Sequence, residues 1–191
     1  MISCVPTFDV EKRLWAEGYE HVAGVDEVGR GALAGPVVAA AVTIDPGSCH
    51  LPEWHNLRDS KQLSESQRIY FSNWIKLNSL AWAIGESSPT TIDRINIAEA
   101  TKVAMQSAVD NLSPSPNFLV IDWVKLPSAG LPQENPKKAD AHIISVAAAS
   151  IIAKVYRDNL LTELSGRYPK YGFEQNKGYG TKAHRSAIED W

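Results

Sequence analysis

Two apolar runs separated by a glycine-rich segment constrain the fold of this chain more than any other feature. His21 to Asp26 and Val37 to Ile44 are apolar and rich in β-branched residues, which is typical of strands. Gly29, Gly31 and Gly35 lie between them, so the chain can turn sharply there and expose backbone N–H groups. The sequence therefore predicts an antiparallel pair of strands.

Strand and helix patterns alternate along the rest of the chain. We predict helices over Phe8–Gly18, after a Ser64 cap, from a Thr90 or Thr91 cap through Ala108, over Ile143–Val155 and near Thr181. We predict further strands over Leu80–Gly85 and Phe118–Ile121, and a loop over Gly130–Lys138. Strands with helices between them indicate an α/β fold with a mixed sheet. A chain of 191 residues with 44% hydrophobic content can bury one core, so we expect a single domain over 1–191.

The charge is unevenly distributed. The net charge of −3 excludes a polycationic protein, but Arg167 to Arg185 carries five basic residues and one acid, a local charge of +4 that leaves the remainder at −7. A basic C-terminal segment and an acidic remainder suit a polyanion held over a carboxylate–metal centre. The alternative is a solvated basic face.

The sequence features that report on the compartment favour the cytoplasm. Cys4 and Cys49 are the two cysteines, no CxxC pair occurs, and Met1 to Phe8 does not resemble a leader. No uninterrupted apolar stretch reaches the roughly 18 residues that a membrane helix needs. We therefore expect a cytoplasmic protein without membrane attachment.

Four acids lie at the ends of predicted strands and helices. Asp26 and Glu27 end the first strand, Asp122 ends the strand over Phe118–Ile121, and Asp140 precedes the alanine-rich helix. Each alone is explained by a turn or a helix cap, but four such acids brought together favour a divalent cation, because carboxylates repel one another without one. Since side chains alternate along a strand, we predict irregular backbone at Glu27.

Two glycine motifs are weaker signals. Gly29-Arg30-Gly31 could cradle a phosphate or a sugar hydroxyl, or could be a hairpin loop. Tyr179, between Gly178 and Gly180 in the basic segment, could offer a flat face to a sugar or base, or could be packed in a turn. His184 is either a surface or packed histidine, or a group for proton transfer or phosphate contact.

Taken in order, these stretches resemble the type 2 ribonucleases H, in the bacterial ribonuclease HII group. The matching segments are Ala23–Val38, Asp59–Ser64, Asp93–Ile97, Leu119–Asp122, Asp140 with Val146–Asp158, and Asn176–His184, which span the chain from about Trp15 to Ala187. The resemblance implies an RNase H-like mixed five-stranded sheet flanked by helices, with additional C-terminal helices. Residues from about 160 to 191 would form an extension that contributes to substrate binding.

The resemblance also implies an activity and its residues. Asp26, Glu27, Asp122 and Asp140 would form a catalytic tetrad that binds Mg²⁺ or Mn²⁺, with two ions in the substrate complex. The nucleic-acid contacts would come from Gly29, Arg30, Gly31, Lys61, Lys177 and Tyr179. The glycine loop would read a ribonucleotide 2′-hydroxyl, and Tyr179 would stack on the sugar of the neighbouring deoxynucleotide.

The implied function is endonucleolytic cleavage of the RNA strand of RNA/DNA hybrids, and of DNA duplexes on the 5′ side of an embedded ribonucleotide. The products would carry 3′-hydroxyl and 5′-phosphate ends, with roles in primer removal and ribonucleotide excision repair. We expect a monomer. No clamp-binding peptide is evident in the tail Ala187–Trp191.

The chain departs from the family pattern in three places. Trp123 follows Asp122 where glycine is common, His142 stands where many relatives carry lysine, and the chain ends at Trp191 where relatives usually continue. We expect these departures to alter the approach to the metal, the local charge and the hold on substrate. Two alternatives stay open, namely another nuclease of the RNase H-like superfamily, such as a resolvase or integrase, and a non-catalytic hybrid-binding module.

Overall fold

The computed structural model describes residues 5–191. Met1 to Cys4 lie outside this range, so it does not include Cys4 or the first half of the segment from Met1 to Phe8, which we expect not to be a leader. Cys49 carries a free thiol. Within residues 5–191, no helix combines the length and apolarity needed to cross a membrane.

A five-stranded sheet in the order β3-β2-β1-β4-β5 forms the centre of the fold. Its strands are β1 (Val22–Val28), β2 (Val37–Thr43), β3 (Ala81–Ser87), β4 (Phe118–Ile121) and β5 (Gln133–Glu134). The sheet is mixed, because β1-β2 and β2-β3 pair antiparallel while β1-β4 and β4-β5 pair parallel. The predicted α/β fold and antiparallel β1-β2 pair are confirmed, whereas the predicted loop over Gly130–Lys138 is wrong where it contains β5.

Helices cover both faces of the sheet. They are α1 (Asp9–Ala16), α2 (Glu65–Asn78), α3 (Pro89–Asp110), α4 (Ile144–Arg167), α5 (Phe173–Asn176) and α6 (Lys182–Asp190). β2 is buried along its whole length because α4 packs on one face and α3 on the other. A Cβ on Gly24 would overlap the backbone of α4, and one on Gly85 would overlap that of α3, so these glycines allow the helices to lie directly on the strands.

The helix starts follow their caps. Ser64 caps α2 in a capping box with Gln67, and Thr181 caps α6, as the sequence predicts. The predicted cap of α3 at Thr90 or Thr91 is wrong: Ser88 accepts from Thr91 N, because Pro89 is well suited to the first helical position.

Two helix features do not follow from local sequence patterns. Asn96 has a φ of 68° inside α3, and its side chain accepts from Ala98 N and Glu99 N, so it ends one helical segment and caps the next. At the start of α4, Glu11 from α1 accepts from Ser145 N at 2.8 Å. Asp140 does not cap α4, whose N-cap residue Ile143 provides no side-chain hydrogen bond.

Candidate active site

The four predicted acids line one cavity of about 460 Å³, which we call the acid cavity. Asp26 and Glu27 lie at the end of β1, Asp122 directly follows β4, and Asp140 lies in a short 3-10 turn before α4. β1 and β4 are parallel neighbours, so their carboxyl ends open at the same edge of the sheet. Asp122 N donates to Val25 O at 3.1 Å and fixes the point where the chain leaves the sheet.

The predicted irregular backbone at Glu27 is wrong. β1 pairs residue for residue with β2 through Val28, and Glu27 lies opposite Ala39 without a bulge. The pairing of β1 with β4 ends earlier, at Val25, so this edge of β1 is open beyond that point. Side chains from opposite faces of β1 therefore reach the same cavity around the open edge, which the sequence of β1 alone does not reveal.

Burial and mutual repulsion shift Asp26, Glu27 and Asp122 toward their neutral forms. Burial raises the pKa of Asp26 well above its ordinary value, and the charge of Glu27 adds to the effect. The pKa of Glu27 is raised by burial and by the charge of Asp122. Burial also raises the pKa of Asp122, although Ala139 N donates to its Oδ1 at 2.8 Å. A positive charge inside the cavity would therefore stabilise the ionised acids.

The donor set suits a hard divalent cation, because every candidate ligand atom is a carboxylate oxygen. Glu27 Oε2 is buried and has no hydrogen-bond partner among residues 5–191, so it is an orphaned acceptor that a cation would satisfy. In the arrangement described for residues 5–191, no three His, Cys, Asp or Glu side chains are gathered tightly enough to hold an ion. Asp140 Oδ2 lies 3.4 Å from Lys61 Nζ, and Asp122 Oδ1 faces Ala139 N.

The glycine motif after Glu27 contains two different glycines. Gly29 has a φ of 98°, and a Cβ there would overlap Arg157 Nε, so the local structure requires glycine. At Gly31 a Cβ would meet no heavy atom within 4 Å, and φ is not in the left-handed region. Between them, Arg30 Nη1 lies 3.9 Å from Glu27 Oε1. Packing therefore does not require glycine at position 31, and the place that a Cβ would occupy there is open.

Tyr179 reaches the acid cavity from the C-terminal segment. Lys154 Nζ lies 5.3 Å and Arg157 Cζ 5.4 Å from the centroid of its ring. These distances allow cation–π attraction, which holds the ring against α4. The structure therefore brings the aromatic residue and the four acids together, as expected from the sequence.

His184 lies away from the cavity. Its side chain is fully buried, its Nδ1 is 2.9 Å from Tyr179 O, and its ring packs edge-on against Phe173. The packed alternative describes this placement, because the fully buried ring cannot reach a phosphate. His184 supports the backbone of the Tyr179 segment instead.

The two predicted lysine contacts differ in position. The side chain of Lys61 is 80% exposed, and its ammonium group lies near Asp140 and Asp59 at the mouth of the acid cavity. Lys177 lies beside that cavity rather than in it, with its Nζ donating to Thr162 Oγ1 at 2.5 Å.

Sequence reasoning missed three residues of α4. Ser150 and Lys154 line the acid cavity, and Ser150 Oγ is 3.0 Å from Ser60 Oγ. Arg157 is fully buried beneath the glycine loop and the Tyr179 segment. The signal was present in the sequence, because Arg157 interrupts an apolar stripe at helical spacing between Ala153 and Leu161.

The two unusual residues beside the acids have different surroundings. Trp123 has a φ of 54°, a conformation that favours glycine, and its side chain is exposed between Arg30 Cζ and Lys137 Nζ, each 5.7 Å from the ring centroid. His142 is exposed and is not among the residues that line the acid cavity, and its carbonyl accepts from Thr7 N.

Comparison with known proteins gives one consistent result. Residues 23–190 match the family model described as Ribonuclease HII. The chain is 50% identical over 178 residues to the ribonuclease HII of Desulfitobacterium hafniense, which covers 93% of this chain and 67% of that protein. It is 52% identical over 179 residues to the ribonuclease HII of Bacillus mycoides, which covers 94% and 68% of the two chains.

Solved structures give the same picture. Ribonuclease H2 from Pyrococcus horikoshii superposes with a TM-score of 0.77 at 29% identity, covering 89% of this chain and 86% of that one. A ribonuclease HII from Archaeoglobus fulgidus, described in complex with PCNA, superposes with a TM-score of 0.76 at 27% identity, covering 90% and 88%. The chain belongs to the ribonuclease HII family, whose members are divalent-metal-dependent nucleases that cleave the RNA strand of RNA/DNA hybrids.

Proposed function

We propose that this chain is an endonuclease that cleaves the RNA strand of RNA/DNA hybrids and cuts DNA duplexes on the 5′ side of embedded ribonucleotides. The observation that carries the proposal is the common cavity of Asp26, Glu27, Asp122 and Asp140, with Tyr179 in its wall and the Gly29–Gly31 loop one residue beyond Glu27. A carboxylate cluster supports phosphodiester hydrolysis, and the neighbouring loop and aromatic ring supply groups that can distinguish sugars.

The four acids are proposed as the catalytic and metal-binding residues, with two Mg²⁺ or Mn²⁺ ions in the substrate complex. Asp26, Glu27, Asp122 and Asp140 would hold these ions, which would supply an activated water and offset charge on the leaving 3′-oxygen; the expected products carry 3′-hydroxyl and 5′-phosphate ends. The role of the chain is to hold the acids at fixed positions: Asp26 and Glu27 on the hydrogen-bonded strand β1, and Asp122 through its hydrogen bond from Ala139 N. Lys61 is proposed to occupy the negative cavity mouth and to meet a substrate phosphate.

The Gly29-Arg30-Gly31 loop is proposed to read the 2′-hydroxyl of the ribonucleotide. The open space at Gly31 supports this role, because a sugar can approach the backbone where no Cβ intervenes. Tyr179 is proposed to stack on the next deoxyribose, and the segment from about 160 to 191, with Lys177, to contribute to substrate binding within the single domain 1–191. We propose that the protein acts as a monomer in primer removal and ribonucleotide excision repair.

A two-substrate cleavage assay tests the proposal. A continuous RNA/DNA hybrid and a DNA duplex with one ribonucleotide are each incubated with Mg²⁺ and with Mn²⁺, and products are mapped to the nucleotide. We expect cleavage of both, with the single-ribonucleotide duplex cut on the 5′ side of that residue. Failure to cut either substrate with either metal would overturn the proposal.

The same assay separates the rival functions. A resolvase-like or integrase-like nuclease of the same superfamily would cut all-DNA substrates and ignore a single ribonucleotide. A non-catalytic hybrid-binding module would retain the hybrid in a binding assay and leave it intact. The presence of all four acids around one cavity argues against the second rival.

A further inference from the structure

The guanidinium group of Arg157 is fully buried in the fold. It lies where two loops of the proposed substrate site meet, namely residues 29–36 between β1 and β2 and residues 177–180, the Tyr179 segment. Nε donates to Pro36 O at 2.9 Å, Nη2 to Ala34 O at 2.9 Å, and Nη1 to Lys177 O at 2.8 Å. All three nitrogens therefore bond to backbone carbonyls, two from the segment before β2 and one from the Tyr179 segment. Among the described residues, no carboxylate forms an ion pair with it.

Three glycines of the two loops pack against this one side chain. A Cβ at Gly29 would overlap Arg157 Nε, and a Cβ at Gly35 or Gly178 would lie 3.2 or 3.3 Å from Nη2. All three glycines also have positive φ values. Gly29, Gly35 and Gly178 therefore all lie against the guanidinium, and a Cβ on Gly178 would in addition overlap Ala34 O.

The loops also contact each other directly above Arg157. Leu33 N donates to Gly178 O at 2.8 Å, and Ala32 forms an antiparallel bridge with Tyr179. The Tyr179 ring lies over the guanidinium, with 5.4 Å between the ring centroid and Cζ. The position of Tyr179 relative to the Gly29–Gly31 loop is thus set by these direct bonds together with the three hydrogen bonds of Arg157.

We propose that Arg157 is a positioning residue that determines substrate selectivity by fixing Tyr179 relative to the Gly29–Gly31 loop. The inference rests on the proposed function, in which the loop reads a ribose and Tyr179 reads the next deoxyribose. A ribose and an adjacent deoxyribose are recognised together only if the Gly29–Gly31 loop and Tyr179 are held at a fixed distance from each other. A single embedded ribonucleotide offers one such junction, whereas a continuous hybrid offers a ribose at every position of the strand.

The proposal predicts an uneven effect of Arg157→Lys. Lysine keeps the charge, but its one nitrogen cannot span three carbonyls as the planar guanidinium does. Because displacement by about 1 Å can cost about 100-fold in rate, we expect kcat/KM on the single-ribonucleotide duplex to fall about tenfold or more relative to that on the hybrid. The cut site around the single ribonucleotide should also become less uniform.

A matched control separates positioning from loss of stability. Met105→Ala removes a buried side chain from α3, on the face of the sheet opposite α4, and should lower thermal stability while leaving every hydrogen bond of Arg157 in place. Below its unfolding temperature this variant should keep the wild-type ratio of the two activities. If Arg157→Lys also keeps that ratio, or if Met105→Ala changes it equally, the proposal is overturned.

A double-mutant cycle with Tyr179→Ala tests the route of the effect. If Arg157 acts through Tyr179, Arg157→Lys should cause little further change in the activity ratio once the ring is absent, whereas independent effects would contradict the proposal. Should Arg157→Lys fail to fold, Gly178→Ala replaces it, because its Cβ would push on Ala34 O and separate the loops while Arg157 stays in place. Inactivity of the wild-type chain on both substrates would refute the proposed function, and an unchanged ratio in active variants would refute only the role of Arg157.

Discussion

The acid cavity and the Arg157 guanidinium bury charge side by side and satisfy it in opposite ways. In the cavity, Asp26 and Glu27 repel each other and Asp122, and Glu27 Oε2 finds no hydrogen-bond partner in the described part of the chain. At Arg157, each guanidinium nitrogen donates to a carbonyl. The chain thus leaves its buried negative charges with too few partners and gives each nitrogen of its buried positive charge a carbonyl acceptor.

The difference indicates what each region is for. A buried charge with full partners stabilises one arrangement of the backbone, and its removal leaves orphaned acceptors. A group of like charges with too few partners costs stability in the free protein and is useful only when a cation or ligand joins it. We therefore expect substitutions in the acid cavity to change activity more than folding, and substitutions around Arg157 to change folding as well.

The largest expected effect is on catalysis. Asp26→Asn and Asp122→Asn should each lower hybrid cleavage more than about 100-fold, because loss of mere outer-shell partners of metal ligands already costs about 10–100-fold. Thermal stability without metal should stay the same or rise, since each change removes a repelling charge. Cleavage kinetics and thermal unfolding measure the two effects.

Asp110→Asn is the matched control for these variants, because Asp110 is an exposed acid at the end of α3, outside the cavity. It should cut at the wild-type rate. Wild-type cleavage rates in both Asp26→Asn and Asp122→Asn would remove the acid cavity from the mechanism. Strong destabilisation by either substitution would contradict the contrast with Arg157.

The second expected effect divides one motif into two halves. Gly29→Ala should lower the free energy of unfolding by about 2 kcal/mol or more, since it combines a φ of 98° with overlap on Arg157. Gly31→Ala should leave stability within about 0.5 kcal/mol, because open space surrounds its Cβ. It should nevertheless raise KM for the hybrid if a sugar approaches there.

Chemical denaturation and steady-state kinetics on the two glycine variants provide the measurement. Equal destabilisation by both would show that the motif is structural throughout. An unchanged KM in Gly31→Ala would withdraw support from the proposed reading of the 2′-hydroxyl, while leaving the structural role of Gly29 intact.

The outcome for the sequence predictions follows the same division. Local patterns were sufficient for the β1-β2 pair, the Ser64 cap and the gathering of acids at one sheet edge, because each depends on periodicity and strand ends. Glu27 reaches the cavity because the pairing of β1 with β4 ends at Val25. The carbonyl groups of Ala34 and Pro36 that accept from Arg157 lie more than 120 positions away from it in the sequence. Such long-range pairings leave no trace in a local pattern. The roles of the acids as metal ligands stay predictions.

The third expected effect comes from metal binding. A divalent ion that binds only the folded state stabilises the protein by about 1.4 kcal/mol when its free concentration is ten times its Kd. Wild type should gain thermal stability with Mg²⁺ or Mn²⁺, and Asp26→Asn should lose most of that gain. The gain should be larger at pH 8 than at pH 5.5, because the raised pKa values of Asp26 and Glu27 make protons compete with the metal at lower pH.

Thermal unfolding with and without metal at the two pH values is the measurement, and Asp110→Asn again serves as the control that should respond as wild type does. A gain that is identical in wild type and Asp26→Asn would indicate metal binding elsewhere on the protein.

The smallest expected effect concerns Glu11, a third buried charge that lies between the two extremes. Its Oε1 accepts from Ser145 N at the start of α4, its Oε2 has no partner, and burial raises its pKa above the ordinary value of 4.5. The folded state therefore holds the proton more tightly than the unfolded chain, so this contribution to stability is complete below pH 4.5 and is lost as the pH rises through the folded-state pKa.

Glu11→Gln keeps the acceptor for Ser145 N and carries no titrating proton. The free energy of unfolding of Glu11→Gln relative to wild type should thus increase between pH 4 and pH 8, by less than the Gly29→Ala loss, whereas exposed Glu20→Gln should show no such trend. A flat difference for Glu11→Gln would mean that the N-terminus of α4 fully compensates the buried charge, and Glu11 would then belong with Arg157 rather than with the acid cavity.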